Sequence, residues 1–114
     1  MKKWLVQLLV LPFLFNMGAP TYAEAVTLAW DANAESDLAG YKLYQGNAAG
    51  GPYTLVQTLG LVTTTQVSGL PDGVRCWVLT AFDTFANESG YSNEVCMTVD
   101  TIPPVAPQHF VRVP

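Results

Sequence analysis

The sequence predicts an all-β domain, a sandwich or a barrel. Three observations predict it. Short apolar–polar alternations recur along the chain, breaks rich in Gly, Pro and Asp separate them, and no segment beyond residue 23 carries a helical apolar stripe. Several short strands at roughly 8–12-residue spacing, with no helix among them, point to a sandwich or a barrel.

The strands follow in chain order. Val26-Thr27-Leu28-Ala29-Trp30 puts Val26, Leu28 and Trp30 on one face. Tyr41–Gln45 puts Tyr41 and Leu43 on one face. Tyr53–Leu59 and Thr63–Val67 have β-prone compositions, and Trp77–Ala81 and Val95–Val99 complete the set. Between them, Gly46–Pro52 holds three glycines and a proline, residues that supply the special φ values of turns. Leu70-Pro71-Asp72-Gly73 has the composition of a tight turn. Asp83–Gly90 is polar and long enough for a hairpin loop. Asp31–Ala39 has room for a helical turn but no apolar stripe to hold it against a core.

Residues 1–23 differ in character. Lys2 and Lys3 precede an apolar run, Trp4–Phe15, broken only by Gln7 and Pro12; Asn16–Pro20 then interrupts it and small residues follow. This is the layout of a secretory signal peptide. Cleavage is expected after Ala23, because Pro20 closes the apolar region just upstream, with Ala25 as the alternative. A membrane anchor is the rival reading, but a spanning helix needs about 20 apolar residues and this run is shorter. The domain at residues 24–100 is therefore expected in a secreted or periplasmic setting. Without the leader, Lys42, Arg75 and Arg112 stand against nine acidic residues, a net charge of −6. That balance disfavours nucleic acid as a partner. No second apolar stretch follows, so no membrane association is expected after cleavage.

Several spaced motifs together resemble the fibronectin type III family. Val26–Asp31 looks like its second strand with the core tryptophan, and Gly40–Tyr44 looks like its third. Leu70–Gly73 looks like the turn into the penultimate strand. Thr80–Asp83, Asn87–Ser89 and Ser92–Val95 look like the last hairpin of bacterial members. The resemblance implies an immunoglobulin-like sandwich over about Ala25–Asp100 and says little about function, because such folds host many roles. Two departures stand out. The tyrosine expected after the Leu-Pro turn falls on Arg75 or Cys76, so the corner hydrogen bond is absent or replaced. The first strand is missing from its usual place, since residue 24 lies almost directly at the second strand.

The tail at 101–114 is Pro-rich and reads as a semi-rigid linker. It resembles the first strand of a following domain. That fits a truncated tandem array, or strand donation to a neighbouring molecule and hence self-association through 103–114.

Cys76 and Cys96 carry the best local chemistry. Strand alternation turns both outward, and a hairpin register that sets Thr80 opposite Ser92 also sets Cys76 opposite Cys96. Facing Cα atoms about 4.5 Å apart are within bridging range, so a disulfide on the outer face is expected. Two free thiols are the alternative, which export disfavours.

Residues for catalysis are not assembled by the sequence. His109, the lone histidine, lies in the tail with nothing to orient it. Gly46–Gly51 lacks the lysine and helix of a phosphate loop. Asp31–Asp37 alternates oxygen ligands but has Ser36 and Lys42 where a calcium loop needs glycine and glutamate. Asn87-Glu88-Ser89 fits a glycosylation acceptor, relevant only in a eukaryotic host. No cofactor, metal or catalytic residue is assigned. Tyr44, Phe85 and Tyr91 are the candidate contact residues, with Phe82 as a further outward aromatic. The expected role is a non-enzymatic binding or spacer module at the cell surface or in the periplasm, its protein or glycan partner unspecified. A carbohydrate-associated accessory domain and a strand-donating self-assembly unit are the alternatives.

Overall fold

The computed structural model describes Leu8–Leu11 and residues 25–114. Residues 1–7 and 12–24, with the expected cleavage point after Ala23, lie outside the described residues. The strands are β1 (Leu8–Leu11), β2 (Val26–Trp30), β3 (Leu38–Gly46), β4 (Tyr53–Leu59), β5 (Thr64–Val67), β6 (Gly73–Asp83) and β7 (Val95–Val99). They form two antiparallel sheets, ordered β1-β2-β5 and β4-β3-β6-β7. The predicted sandwich is therefore the observed architecture. Two predicted strands are longer than their alternation suggested. β3 and β6 lie inside their sheet, and pairing on both sides carries them past their apolar centres into Leu38 and Asp83. The Asp31–Ala39 segment holds a turn before β3 and no helix.

The core lies between the sheets. β2 contributes Val26, Leu28 and Trp30, β3 Tyr41 and Leu43, and β6 Trp77, Leu79 and Ala81, with Val67, Leu70 and Val99 closing it. Trp30 meets Tyr41 edge to face across the sheets, with ring centroids 5.3 Å apart. The buried Trp77 indole donates to Gln45 Oε1 at 2.9 Å and so keeps its polar atom satisfied. The Tyr41 hydroxyl accepts from the Asn33 amide at 2.9 Å, which fixes the loop leading into β3.

The edge of β2 that lacks a strand from residue 24 onward is occupied by residues 8–11. β1 pairs with β2 in the register Leu8↔Trp30 to Leu11↔Thr27. An open edge leaves N–H and C=O groups unpaired, and a β-prone Leu-Leu-Val-Leu segment satisfies them. The residues that fill it come from the apolar run read as a leader. Among the described residues from 25 onward, none supplies that strand.

The tyrosine corner is replaced rather than conserved in kind. Arg75 Nη2 donates to the Asp72 carbonyl at 3.0 Å, and Nη1 donates to Val74 O at 2.8 Å and to Asn47 Oδ1 at 3.2 Å. Asp72 Oδ1 also accepts from the Thr101 amide and hydroxyl at 3.0 and 2.7 Å. The turn into β6 and the exit from β7 are thus tied to one another.

Leu79 is wholly buried at the centre of this core. Leu79→Ala is expected to lower the unfolding free energy by about 2–5 kcal/mol, against about 0.5 kcal/mol or less for the exposed Thr58→Ala. Urea denaturation followed by tryptophan fluorescence measures both.

Candidate functional site

The outer face of the four-stranded sheet is not a simple solvated surface. From Cys76 to Ala81 every side chain of β6 is buried, on both faces. Trp77, Leu79 and Ala81 point into the core. Cys76, Val78 and Thr80 point outward and are covered by residues that converge from β3, β4 and the 84–96 segment.

Regular pairing between β6 and β7 ends at Trp77↔Val95. Beyond it, two serines take over the ladder. Ser92 N donates to Leu79 O at 2.8 Å while Ser92 Oγ accepts from Leu79 N at 2.9 Å. Ser89 N donates to Ala81 O at 2.8 Å while Ser89 Oγ accepts from Ala81 N at 2.9 Å. Each serine thus satisfies both backbone groups of a β6 residue without itself being in a strand. The buried Asp83 carboxylate fixes the loop between the end of β6 and Ser89, accepting from the amides of Phe85 and Asn87 and from the Asn87 side chain at 2.9–3.0 Å.

This arrangement carries Glu88, Tyr91 and Glu94 over β6. Glu88 accepts hydrogen bonds from the Tyr44 hydroxyl and from Thr80 Oγ1, the latter at 2.8 Å, and pairs with Lys42 Nζ at 3.4 Å. Lys42 also lies 5.3 Å from the Phe82 ring centroid. Glu94 accepts from the Tyr53 hydroxyl and from the Gly50 amide, the latter at 2.8 Å. Tyr91 stands between the two tyrosines, edge to face with Tyr44 at 5.4 Å and with Tyr53 at 5.3 Å. Pairs of this geometry contribute about 0.5–1.5 kcal/mol each beyond their area. Tyr91 remains 56% exposed, so it is the part of the cluster that an outside molecule meets first.

The charges follow from the contacts. Partial burial pushes the Glu88 carboxyl up, but the hydrogen bonds from Tyr44 and Thr80 and the Lys42 charge outweigh it and hold the group below its ordinary value. The Tyr53 hydroxyl and the Gly50 amide hold Glu94 low in the same way. Desolvation and the Glu88 carboxylate push Tyr44 up to about 12, and hydrogen bonding to Glu94 raises Tyr53. At neutral pH the face therefore presents two carboxylates bound by neutral tyrosines.

Cys76 and Cys96 form the expected disulfide, with Cα atoms 4.0 Å apart, at directly paired positions. The bridge lies on the outer face as expected, where Cys76 is fully buried and Cys96 exposed. The two sulfurs and a Glu94 carboxylate oxygen lie within 4.8 Å of one another. The bridge closes a 20-residue separation, for which chain entropy gives about 3 kcal/mol of stabilisation. Joined as a disulfide, the sulfurs offer no thiolate to a metal.

Tyr44 and Tyr91 of the candidate contact residues are brought together; Phe85 is not, and sits 81% exposed on its loop. Sequence reasoning missed Tyr53, Glu88 and Glu94. Tyr53 was hidden by a β-bulge. Leu43 faces Gln57 but Tyr44 faces Leu55, so one residue of β4 is skipped and its alternation changes phase. Unbroken alternation puts Tyr53 on the same face as Leu59; the bulge sends it outward, beside Tyr44. Two open clefts, of about 300 and about 290 Å³, flank the sandwich elsewhere. Among the described residues, the lining of the first holds no acidic or basic side chain, and that of the second holds one carboxylate, Glu35.

No family model and no curated protein matches the chain. Solved structures do. The Fn3-like protein from Clostridium thermocellum is similar with a TM-score of 0.58 at 21% identity, over 71% of this chain and 82% of that one. The fibronectin type III domain of the human KIAA0970 protein is similar with a TM-score of 0.63 at 16% identity, over 98% and 84%. The chain has the fibronectin type III fold. Within that fold, the tyrosine–carboxylate face lies on the sheet formed by β4, β3, β6 and β7. The same fold is matched in pectate lyase PelI from Erwinia chrysanthemi, whose crystals held tetragalacturonic acid, with a TM-score of 0.62 at 16% identity. This chain spans only 28% of that enzyme.

The clamp on Glu88 predicts an acid dependence of stability. Its folded-state value lies below the ordinary 4.5, so the stabilisation is complete above 4.5 and is lost as the pH falls through the lower folded-state value. Glu88→Gln should be less stable than wild type at neutral pH by about 1 kcal/mol after solvent screening. It should also lose less on acidification. Urea midpoints between pH 7 and pH 2.5 check this; parallel curves for the two proteins contradict it.

Proposed function

We propose that this chain is an exported, non-enzymatic binding or spacer module of the cell surface or periplasm, and that it meets its partner through the Tyr44–Tyr53–Tyr91 face. One observation carries the reading: three tyrosines are packed together on the outside of a rigid sheet, with the hydroxyls of two of them bound by ionised carboxylates. Tyrosines held in this way give large contact area at little entropic cost. The two carboxylates favour a basic protein surface over an acidic one. Export is supported by the leader-like residues 1–23 and by a disulfide, which suits an oxidising compartment.

A second reading, an accessory domain for a neutral glycan, is favoured by the occurrence of this fold as a part of pectate lyase PelI. Acidic polysaccharides suit it poorly, since Glu88 and Glu94 repel them. A glycan array separates the two readings: selective binding to neutral glycans selects the second.

A photo-cross-linking residue placed at position 91 of the exported protein tests the contact face. Discrete adducts with a cell-surface or periplasmic component are expected at 91 and not from position 61, an exposed site away from the tyrosines. Equal labelling from both positions, or none from 91, overturns the assignment.

A further inference from the structure

We infer that export leaves the outer edge of β2 open and that the tail of a second copy, Val111–Val113, pairs with it. This rests on the export reading above. The observations are the occupant of that edge, the direction in which β2 presents its backbone groups, and the exposed apolar residues of the tail.

The Trp30 amide donates to Thr63 O, on the β5 side of β2. Backbone groups alternate sides along a strand, so those of Thr27 and Ala29 face the opposite edge. β1 covers that edge, antiparallel, in four paired positions. All four of its residues lie within the leader segment. Cleavage after Ala23 or Ala25 removes them and leaves the N–H and C=O groups of Thr27 and Ala29 unpaired, beside the core residues Val26, Leu28 and Trp30. An open edge in that setting is a template for another strand.

The tail has the chemistry to fill it. Phe110, Val111 and Val113 are 95%, 71% and 80% exposed, and no residue of 101–114 is in a strand. Val111-Arg112-Val113 alternates as a half-buried strand does. With Val111 opposite Trp30 and Val113 opposite Leu28, both valines take the core side and Arg112 the solvent side. In that register Phe110 lies opposite Asp31, just past β2, and residues 111–113 face three of the four β2 positions that β1 pairs with.

A second copy fits better than the chain's own tail. Val26 pairs with Val67, and Val99 pairs with Gly73, so β7 exits near the pole where β2 starts. An antiparallel neighbour of β2 must begin at the Trp30 pole. The chain's own tail has to travel the length of the sandwich and turn back, whereas a neighbour's approaches directly.

The test uses protein recovered from the periplasm of a bacterial host. Mass spectrometry first reads its N-terminus, expected at Glu24 or Val26. Light scattering is then followed against concentration for the exported chain, for the same chain lacking 103–114, and for Ala29→Pro, which removes an outward-facing amide. The intact chain is expected to rise from the monomer mass to at least double as concentration increases, and both variants to stay monomeric with unchanged circular dichroism. A synthetic peptide of residues 103–114, added in excess, is expected to return the intact chain to monomers. A chain that retains residues 1–23 overturns the export reading, and the donation with it. A cleaved chain that stays monomeric, or associates equally without its tail, overturns the donation alone.

Discussion

The structure depends on one constraint: β6 is buried on both faces and must be hydrogen-bonded along both edges. Its inward residues Trp77, Leu79 and Ala81 form the middle of the core, which any sandwich of this kind requires. Its outward residues Cys76, Val78 and Thr80 are equally buried, which the sandwich alone does not require. Something must cover them. The cover consists of Tyr44 from β3, Tyr53 from β4 and the segment that returns from Asp83 to β7. The tyrosine–carboxylate face is the outside of that cover, so the feature most suited to contact is also the one that protects the central strand.

Much of the fold was legible because short apolar alternations and turn residues report it directly. Val26–Trp30, Tyr53–Leu59 and Val95–Val99 appear with their expected bounds. The disulfide was legible because antiparallel pairing is arithmetic: facing residues have a constant sum, and Cys76 and Cys96 obey it. The burial of Cys76 was not legible, because it depends on what crosses above the sheet rather than on the strand's own pattern. Tyr53 was lost to a bulge, which changes the phase of alternation without leaving a mark in composition. Glu88 and Glu94 looked like ordinary loop acids. Their positions follow from Ser89 and Ser92 pairing with β6 through both backbone and hydroxyl, a role that polar loop serines do not announce.

The two ends of the chain show how an edge-strand problem depends on context. β2 has a partner on its outer side only while the apolar residues Leu8–Leu11 are attached. Those residues belong to the apolar run that the sequence reads as a leader, and in the structure they complete a sheet. The disulfide and the Asp72–Thr101 bonds lie at the other sheet and at the β7 exit. They hold the last hairpin, and with it the tyrosine face, whatever happens at β2.

The central claim is that the 84–94 segment supplies β6 with its missing edge partners. Native-state amide exchange tests it most directly. The Leu79 and Ala81 amides, bound to the hydroxyls of Ser92 and Ser89, should exchange as slowly as those of Val78 and Thr80, which face β3. Exchange of Leu79 and Ala81 at the rate of an exposed turn amide such as Ala48 would contradict the account.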